Sequence, residues 1–152
     1  MRIVIAAVGR LRRGPELELL ESYRRRMHWS VTIREVEERR PLPPAERQAR
    51  EAELLRAALP DGATLAALDE RGALLDSRQF AQWIAAEQNK GVGDLAFAIG
   101  GADGLDSRLR DEADIKIAFG TMTWPHILAR AMLMEQIYRA QQILAGHPYH
   151  KG

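Results

Sequence analysis

Three stretches of the sequence gather residue types that can do chemistry. Ile99-Gly100-Gly101-Ala102-Asp103-Gly104 sets three glycines directly after an apolar run. Glycine permits positive φ and lets a ligand come close to backbone amides. The spacing is not GxGxxG, and no Gly-Lys-Ser/Thr follows, so the two common phosphate-binding loops are disfavoured. Taken alone, this stretch also reads as a tight βα turn. The second stretch is Phe119-Gly120-Thr121-Met122-Thr123-Trp124-Pro125-His126. Its backbone groups and hydroxyls can read an adenine edge, and Met122 and Trp124 can pack on the ring. Thr123 also suits a helix N-cap, with Pro125 in the first turn. The third is the tail, Gly146-His147-Pro148-Tyr149-His150-Lys151-Gly152. Tails usually fray, but two His, a Tyr and a Lys in five residues can also touch a substrate. The His pair lacks a third ligand at suitable local spacing, so no metal centre is expected.

The elements that must position these groups follow from hydrophobic period and turn chemistry. Residues 2–8 (RIVIAAV) are a continuous apolar run, as in a strand buried on both faces. Pro15 opens a helix in which Leu17, Leu20, Tyr23 and Met27 recur at helical spacing to about His28. Val31, Ile33 and Val36 predict a second strand. A charged helix over about Ala45–Ala58 follows Pro41, Pro43 and Pro44. Thr64–Leu68 is a third strand leading into the loop Asp69-Glu70-Arg71-Gly72. Ser77 is placed to cap a helix over Arg78–Asn89. Leu95–Ile99 and Ile115–Phe119 are the last strands, with a short helix at Ser107–Glu112 between them. Thr123 caps a final helix from Pro125 to about Leu144, and Gly146 ends it. Alternating strands and helices predict one α/β domain over 1–152, a parallel-rich sheet with helices on both faces. Ligands then sit outside the carboxyl ends of strands. The loops after Leu68, at Gly100–Gly104 and at Gly120–Thr123 all meet there.

The final helix is apolar on more than one face, through Ile127, Leu128, Ala131, Met132, Leu133, Met134, Ile137, Tyr138, Ile143 and Leu144. One sheet face does not readily cover such a helix, which predicts a homodimer interface. Glu135 and Arg139 stand at i,i+4 and fit a helical ion pair.

Composition excludes whole classes. The chain has 152 residues, no cysteine and a formal charge of +1. Disulfide frameworks, zinc ribbons, iron–sulfur clusters and thiol catalysis are ruled out, and a reducing, cytoplasmic setting fits. The longest uncharged stretch lies between Lys116 and Arg130, too short to span a bilayer. The apolar N-terminus, with no small-residue cleavage site, reads as a strand and not a signal peptide. The near-zero charge hides an asymmetry: residues 1–34 hold eight arginines against three acids. Arg10, Arg12, Arg13 and Arg24, Arg25, Arg26 form two clusters. They are either anion-facing patches or a solvated loop and helix end.

In order along the chain, FAIGGADG (Phe97–Gly104), FGTMTWPHILAR (Phe119–Arg130), LMEQIYRAQQI (Leu133–Ile143) and PYHK (Pro148–Lys151) resemble the ribosomal RNA large subunit methyltransferase H family. The opening RIVIAAVGRLR and the length fit as well, so the likeness covers essentially the whole chain. It implies a SPOUT-class enzyme that N3-methylates a pseudouridine in helix 69 of 23S rRNA. It also implies a deep C-terminal trefoil knot, an exception to the rule against threading. S-adenosylmethionine would sit bent in that knot, lined by Leu68, Gly100, Phe119, Gly120, Thr121, Met122, Thr123 and Trp124. A homodimer would complete each site from the partner subunit. Methyl transfer from a sulfonium is an in-line displacement, so positioning dominates. The N3 proton must leave, which calls for a base or for cations that stabilise the resulting anion. His126, Tyr149, His150 and Arg139 are the candidates. Lys151 and Arg130 join the two arginine clusters as RNA contacts. No metal and no membrane enter.

The same residues admit other readings. A SPOUT methyltransferase with another RNA target shares fold and donor. A flavodoxin-like nucleotide-binding module would use the same strand ends, though its glycine loop belongs on the first strand. A non-enzymatic RNA-binding dimer is disfavoured by the near-neutral charge, since RNA affinity leans on phosphate neutralisation. The same charge points to a preformed target, the assembled ribosome.

Overall fold

The computed structural model describes residues 1–151. Five parallel strands form one sheet in the order β2-β1-β4-β3-β5. They are β1 (Arg2–Val8), β2 (Ser30–Val36), β3 (Thr64–Leu74), β4 (Asp94–Ile99) and β5 (Ile115–Ala118). The apolar runs of β1 and β4 are buried almost end to end because both strands lie inside the sheet, covered on both faces.

Two apolar layers flank the sheet. On one face α1 (Pro15–Arg26), α3 (Ser77–Asn89) and α5 (His126–Leu144) pack Leu20, Phe80, Ile84, Leu133, Met134 and Ile137 onto Ile3, Ile5, Phe97 and Ile117. On the other, α2 (Pro44–Ala58) and α4 (Ser107–Glu112) pack Ala52, Leu55 and Leu109 onto Ala6, Val8, Ala96 and Ala98. Successive strand residues point to opposite faces, so the alternate residues of β1 and β4 feed the two cores.

α5 lies in the trough between α1 and α3. Ala131, Leu133, Met134, Ile137 and Tyr138 are thus buried by its own chain, while Ile127, Leu128, Met132 and Ile143 stay partly exposed and Leu144 exposed.

The cap expectations shift by one or two residues. Asp76, not Ser77, caps α3: it accepts from the Gln79 amide, and the Gln79 side chain returns to the Asp76 amide, a capping box. Ser77 instead donates to Gln136 Oε1 at 2.8 Å. Pro125 occupies the cap position of α5 without a side-chain bond. The Thr123 hydroxyl goes elsewhere.

The largest departure is in β3. Asp69–Gly72 is no loop between elements but an excursion within a longer strand. Leu68 and Ala73 both register against Ile117 of β5, so the four residues between them bulge out and the strand resumes to Leu74. Gly72 makes the return possible. A Cβ there would lie 2.6 Å from the Lys116 carbonyl carbon and 2.7 Å from the Ile117 nitrogen.

Candidate functional site

At the carboxyl ends of β3, β4 and β5 opens a cleft of about 720 Å³. That volume suits a ligand of nucleoside size. The three sequence segments expected to meet do meet here. Leu68, Gly100, Phe119, Gly120, Met122, Thr123 and Trp124 all line the cleft, and His126 joins them; Thr121 is not among the lining residues.

Each wall has a local cause. The glycine loop after β4 turns through a Gly104 N–H to Gly101 carbonyl bond of 3.0 Å. A Cβ on Gly100 would lie 2.6 Å from the Gly104 carbonyl carbon, so the loop folds on itself only with glycine there. The loop after β5 turns at Gly120, whose φ of +109° favours glycine. Trp124 Nε1 closes that loop on the Phe119 carbonyl at 3.0 Å. Thr123 Oγ1 donates to Glu70 Oε2 at 2.8 Å, stapling the loop to the β3 excursion. Arg110 and Asp69, from α4 and the excursion, add a charged pair at 3.2 Å.

Burial biases His126, in the cleft, and Glu51, behind it. Desolvation, helped by the charge of Arg130, holds the His126 imidazole below its ordinary range and therefore neutral near pH 7. Beneath the glycine loop, burial and then Asp103 push the Glu51 carboxyl up, against a smaller pull from Arg47.

The other catalytic candidates gather apart from His126, around the far part of α5. Arg139 donates to Glu135 Oε1 from Nε at 2.9 Å and from Nη2 at 2.6 Å. Tyr149 Oη donates to the same oxygen at 3.0 Å. Arg139 Nη1 lies 3.1 Å from His150 Nδ1. A guanidinium only donates, so Nδ1 accepts and the His150 proton sits on Nε2. The Tyr149 ring meets Tyr138 edge-on, with Arg139 stacked over it. Burial, then bonds to Tyr23 and Glu135, raise the Tyr149 phenol above its ordinary value, so it stays protonated. The tail through His150 is thus docked, with both key side chains half-buried; Lys151 is exposed.

The cationic candidates divide. Arg12, Arg13 and Arg25 are exposed, and Arg10 pairs loosely with Glu37 at 3.5 Å. Arg24 pairs with Glu21, while Arg26 stacks on both Tyr23 and Tyr138, which ties the end of α1 to the tail cluster. Arg130 does not fit the expectation of a phosphate contact. It is fully buried, paired to Glu35, and donates to the Val8 and Gly9 carbonyls at 3.1 Å each. Its charge serves the interior, where it anchors α5 to the end of β1.

Asp69, Glu70, Arg110 and the full role of Glu135 carry no individual signal in the sequence. The first two sit in a stretch that reads as a turn. Arg110 lies in a short polar helix with no distinguishing pattern. Among the described residues, no group of three or more His, Asp or Glu is placed to hold a metal ion, and no helix is long and apolar enough to cross a membrane.

A doubly covered parallel sheet with a nucleoside-sized cleft at its carboxyl edge defines a small-ligand-binding α/β domain. A family model described as predicted SPOUT methyltransferase matches residues 1–150, and the chain belongs to that family: it is a methyltransferase whose donor is S-adenosylmethionine. The chain is 55% identical to the ribosomal RNA large subunit methyltransferase H of Rhodospirillum centenum over 151 residues, 99% of each protein. It is 51% identical to the protein of the same name from Rhodospirillum rubrum, again over 99% of each. Its fold is similar to that of a crystal structure described as a probable methyltransferase from Bordetella pertussis Tohama I. There the TM-score is 0.56 and the identity 15%, covering 91% of this chain and 95% of that one. Family membership excludes the flavodoxin-like module.

The residues present fit the donor. The Phe119–Trp124 loop offers backbone groups and an aromatic face to an adenine, and Arg110 Nε is buried in the cleft wall with no hydrogen-bond partner.

Proposed function

We propose that the protein methylates N3 of a pseudouridine in helix 69 of 23S rRNA, acting in the cytoplasm on the assembled ribosome. The observation that carries the RNA class is end-to-end identity of about half with proteins named as ribosomal RNA large subunit methyltransferases. Leu68, Gly100 and Phe119–Trp124 would hold S-adenosylmethionine, which supplies an electrophilic methyl on a sulfonium. Residues 100–144 would form the knot that fixes these walls.

The separation of His126 from Tyr149, His150 and Arg139 supports a dimer. Along α5, residues 126 and 139 are about 20 Å apart at 1.5 Å per residue. None of Arg139, Tyr149 and His150 lines the cleft of its own chain, which supports the tail of a partner subunit completing it. His126, neutral and in the cleft, is suited to take the N3 proton as the N–C bond forms. Arg139, whose charge Glu135 reinforces, is suited to stabilise the anion left on the base. Tyr149 and His150 N–H groups would orient the nucleotide, and Arg10, Arg12, Arg13, Arg24, Arg25 and Lys151 would meet phosphates.

The test offers labelled S-adenosylmethionine with free 23S rRNA, large subunits or whole ribosomes, and maps the product by mass spectrometry. Label at N3 of a helix 69 pseudouridine, strongest on whole ribosomes, is the expected result. Methylation of another RNA, or of free rRNA alone, overturns this target.

A further inference from the structure

We propose that Arg110 and Asp69 form a clamp for the amino-acid end of the methyl donor. Arg110 comes from α4 and Asp69 from the β3 excursion, and both line the donor cleft. Their side chains are only 18% and 10% exposed, yet a single bond joins them, Nη1 to Oδ2 at 3.2 Å. Two other arginine–carboxylate pairs of this chain have fuller geometry. Arg2–Asp94 and Arg56–Glu112 are each joined by two bonds between 2.8 and 3.1 Å. A sheltered pair that served structure alone would need such geometry to offset desolvation. Here Arg110 Nε is instead buried without a partner. Asp69 Oδ1 is met by Arg71, from the backbone nitrogen at 3.3 Å and Nε at 3.7 Å.

Under-used opposite charges in a cleft match a zwitterion. The donor's methionyl portion carries an α-carboxylate and an α-ammonium group. The carboxylate would take the free guanidinium edge of Arg110 as a charge-assisted pair, and the ammonium would face Asp69. The adenosine would occupy the Phe119–Trp124 side of the same cleft. No covalent change is involved; Arg110 and Asp69 bind the donor and hold it. The proposal rests on this cleft being the S-adenosylmethionine site.

The experiment is calorimetric titration of the wild type, Arg110→Gln, Arg110→Lys and Asp69→Asn. The ligands are S-adenosylmethionine, S-adenosylhomocysteine and 5′-methylthioadenosine, which keeps the nucleoside and sulfur but lacks the amino acid. Arg110→Gln is expected to weaken the first two about ten-fold or more, the scale of a lost charged hydrogen bond. Its affinity for 5′-methylthioadenosine should stay within about two-fold, which also shows that the cleft is folded. Asp69→Asn should change in the same direction, and Arg110→Lys should recover part of the loss. Equal weakening of all three ligands, or none, overturns the clamp. A wild type that binds all three alike also overturns it, leaving the donor site standing. A wild type that binds none removes the donor site and the clamp together.

Discussion

Arg130 Nη1 donates to Glu35 Oε2 at 2.6 Å, and that same oxygen accepts the Leu11 backbone N–H at 2.7 Å. One carboxylate thus joins α5, β2 and the start of the basic loop that carries Arg12 and Arg13. Replacing Arg130 by Ala leaves the Val8 and Gly9 carbonyls and Glu35 short of a donor and opens a cavity. We expect a loss of about 3–5 kcal/mol from the cavity and the two carbonyls left without a donor. Glu35→Gln keeps an acceptor oxygen for Leu11 and should cost less. Denaturant titration of the two variants checks the order; equal losses would refute it.

Gly72→Ala tests the β3 excursion. The added methyl would press on the β5 backbone at Lys116 and Ile117, and backbone there gives way poorly. A loss of at least about 2 kcal/mol in thermal or denaturant unfolding is expected. By contrast Gly62→Ala, with open space around it but positive φ, should cost only about 1 kcal/mol.

Acid should weaken the fold through His126. Burial lowers its folded pKa below the ordinary value of 6.5. The unfolded chain therefore takes up a proton first as the pH falls. The stability contributed by the neutral imidazole is present above about pH 6.5 and is lost progressively below it, towards the folded pKa. Melting temperature followed from pH 8 to pH 5 should drop in the lower half of the range. His126→Asn should flatten that drop, and an unaltered profile would count against the assignment.

Thr123→Val removes the staple between the β5–α5 loop and Glu70. Both side chains are exposed, so stability should change by under about 1 kcal/mol. Affinity for S-adenosylmethionine should fall several-fold by calorimetry, because the Phe119–Trp124 wall loses its tether. Unchanged affinity would show that the loop holds its shape without Glu70.

Much of this architecture was legible from residue patterns. Continuous apolar runs identified the buried strands, and glycines after Ile99 and Phe119 marked the backbone turns of the cleft. What stayed hidden depends on contacts distant in sequence. Asp69–Gly72 has the composition of a turn, and only its pairing with β5 keeps it within a strand. Arg130 looks like any helix arginine until β1 and β2 place three oxygens around it. The apolar character of α5 on more than one face implies cover from more than one side, and only the packing shows that α1 and α3 of the same chain supply part of it. The tail residues were legible by type, and their common partner Glu135 only in three dimensions.

Phe119 and Gly120, with Ile117 and Ala118, line the cleft at the strand ends on one side. On the other they line an apolar hollow that also contains Tyr23, Met132 and Glu135. One thickness of backbone is therefore a party wall between two rooms. Neither room can be enlarged at this wall without shrinking its neighbour. A small residue at position 120 leaves that wall thin, and a bulky ligand on either side will be felt on the other through four consecutive residues.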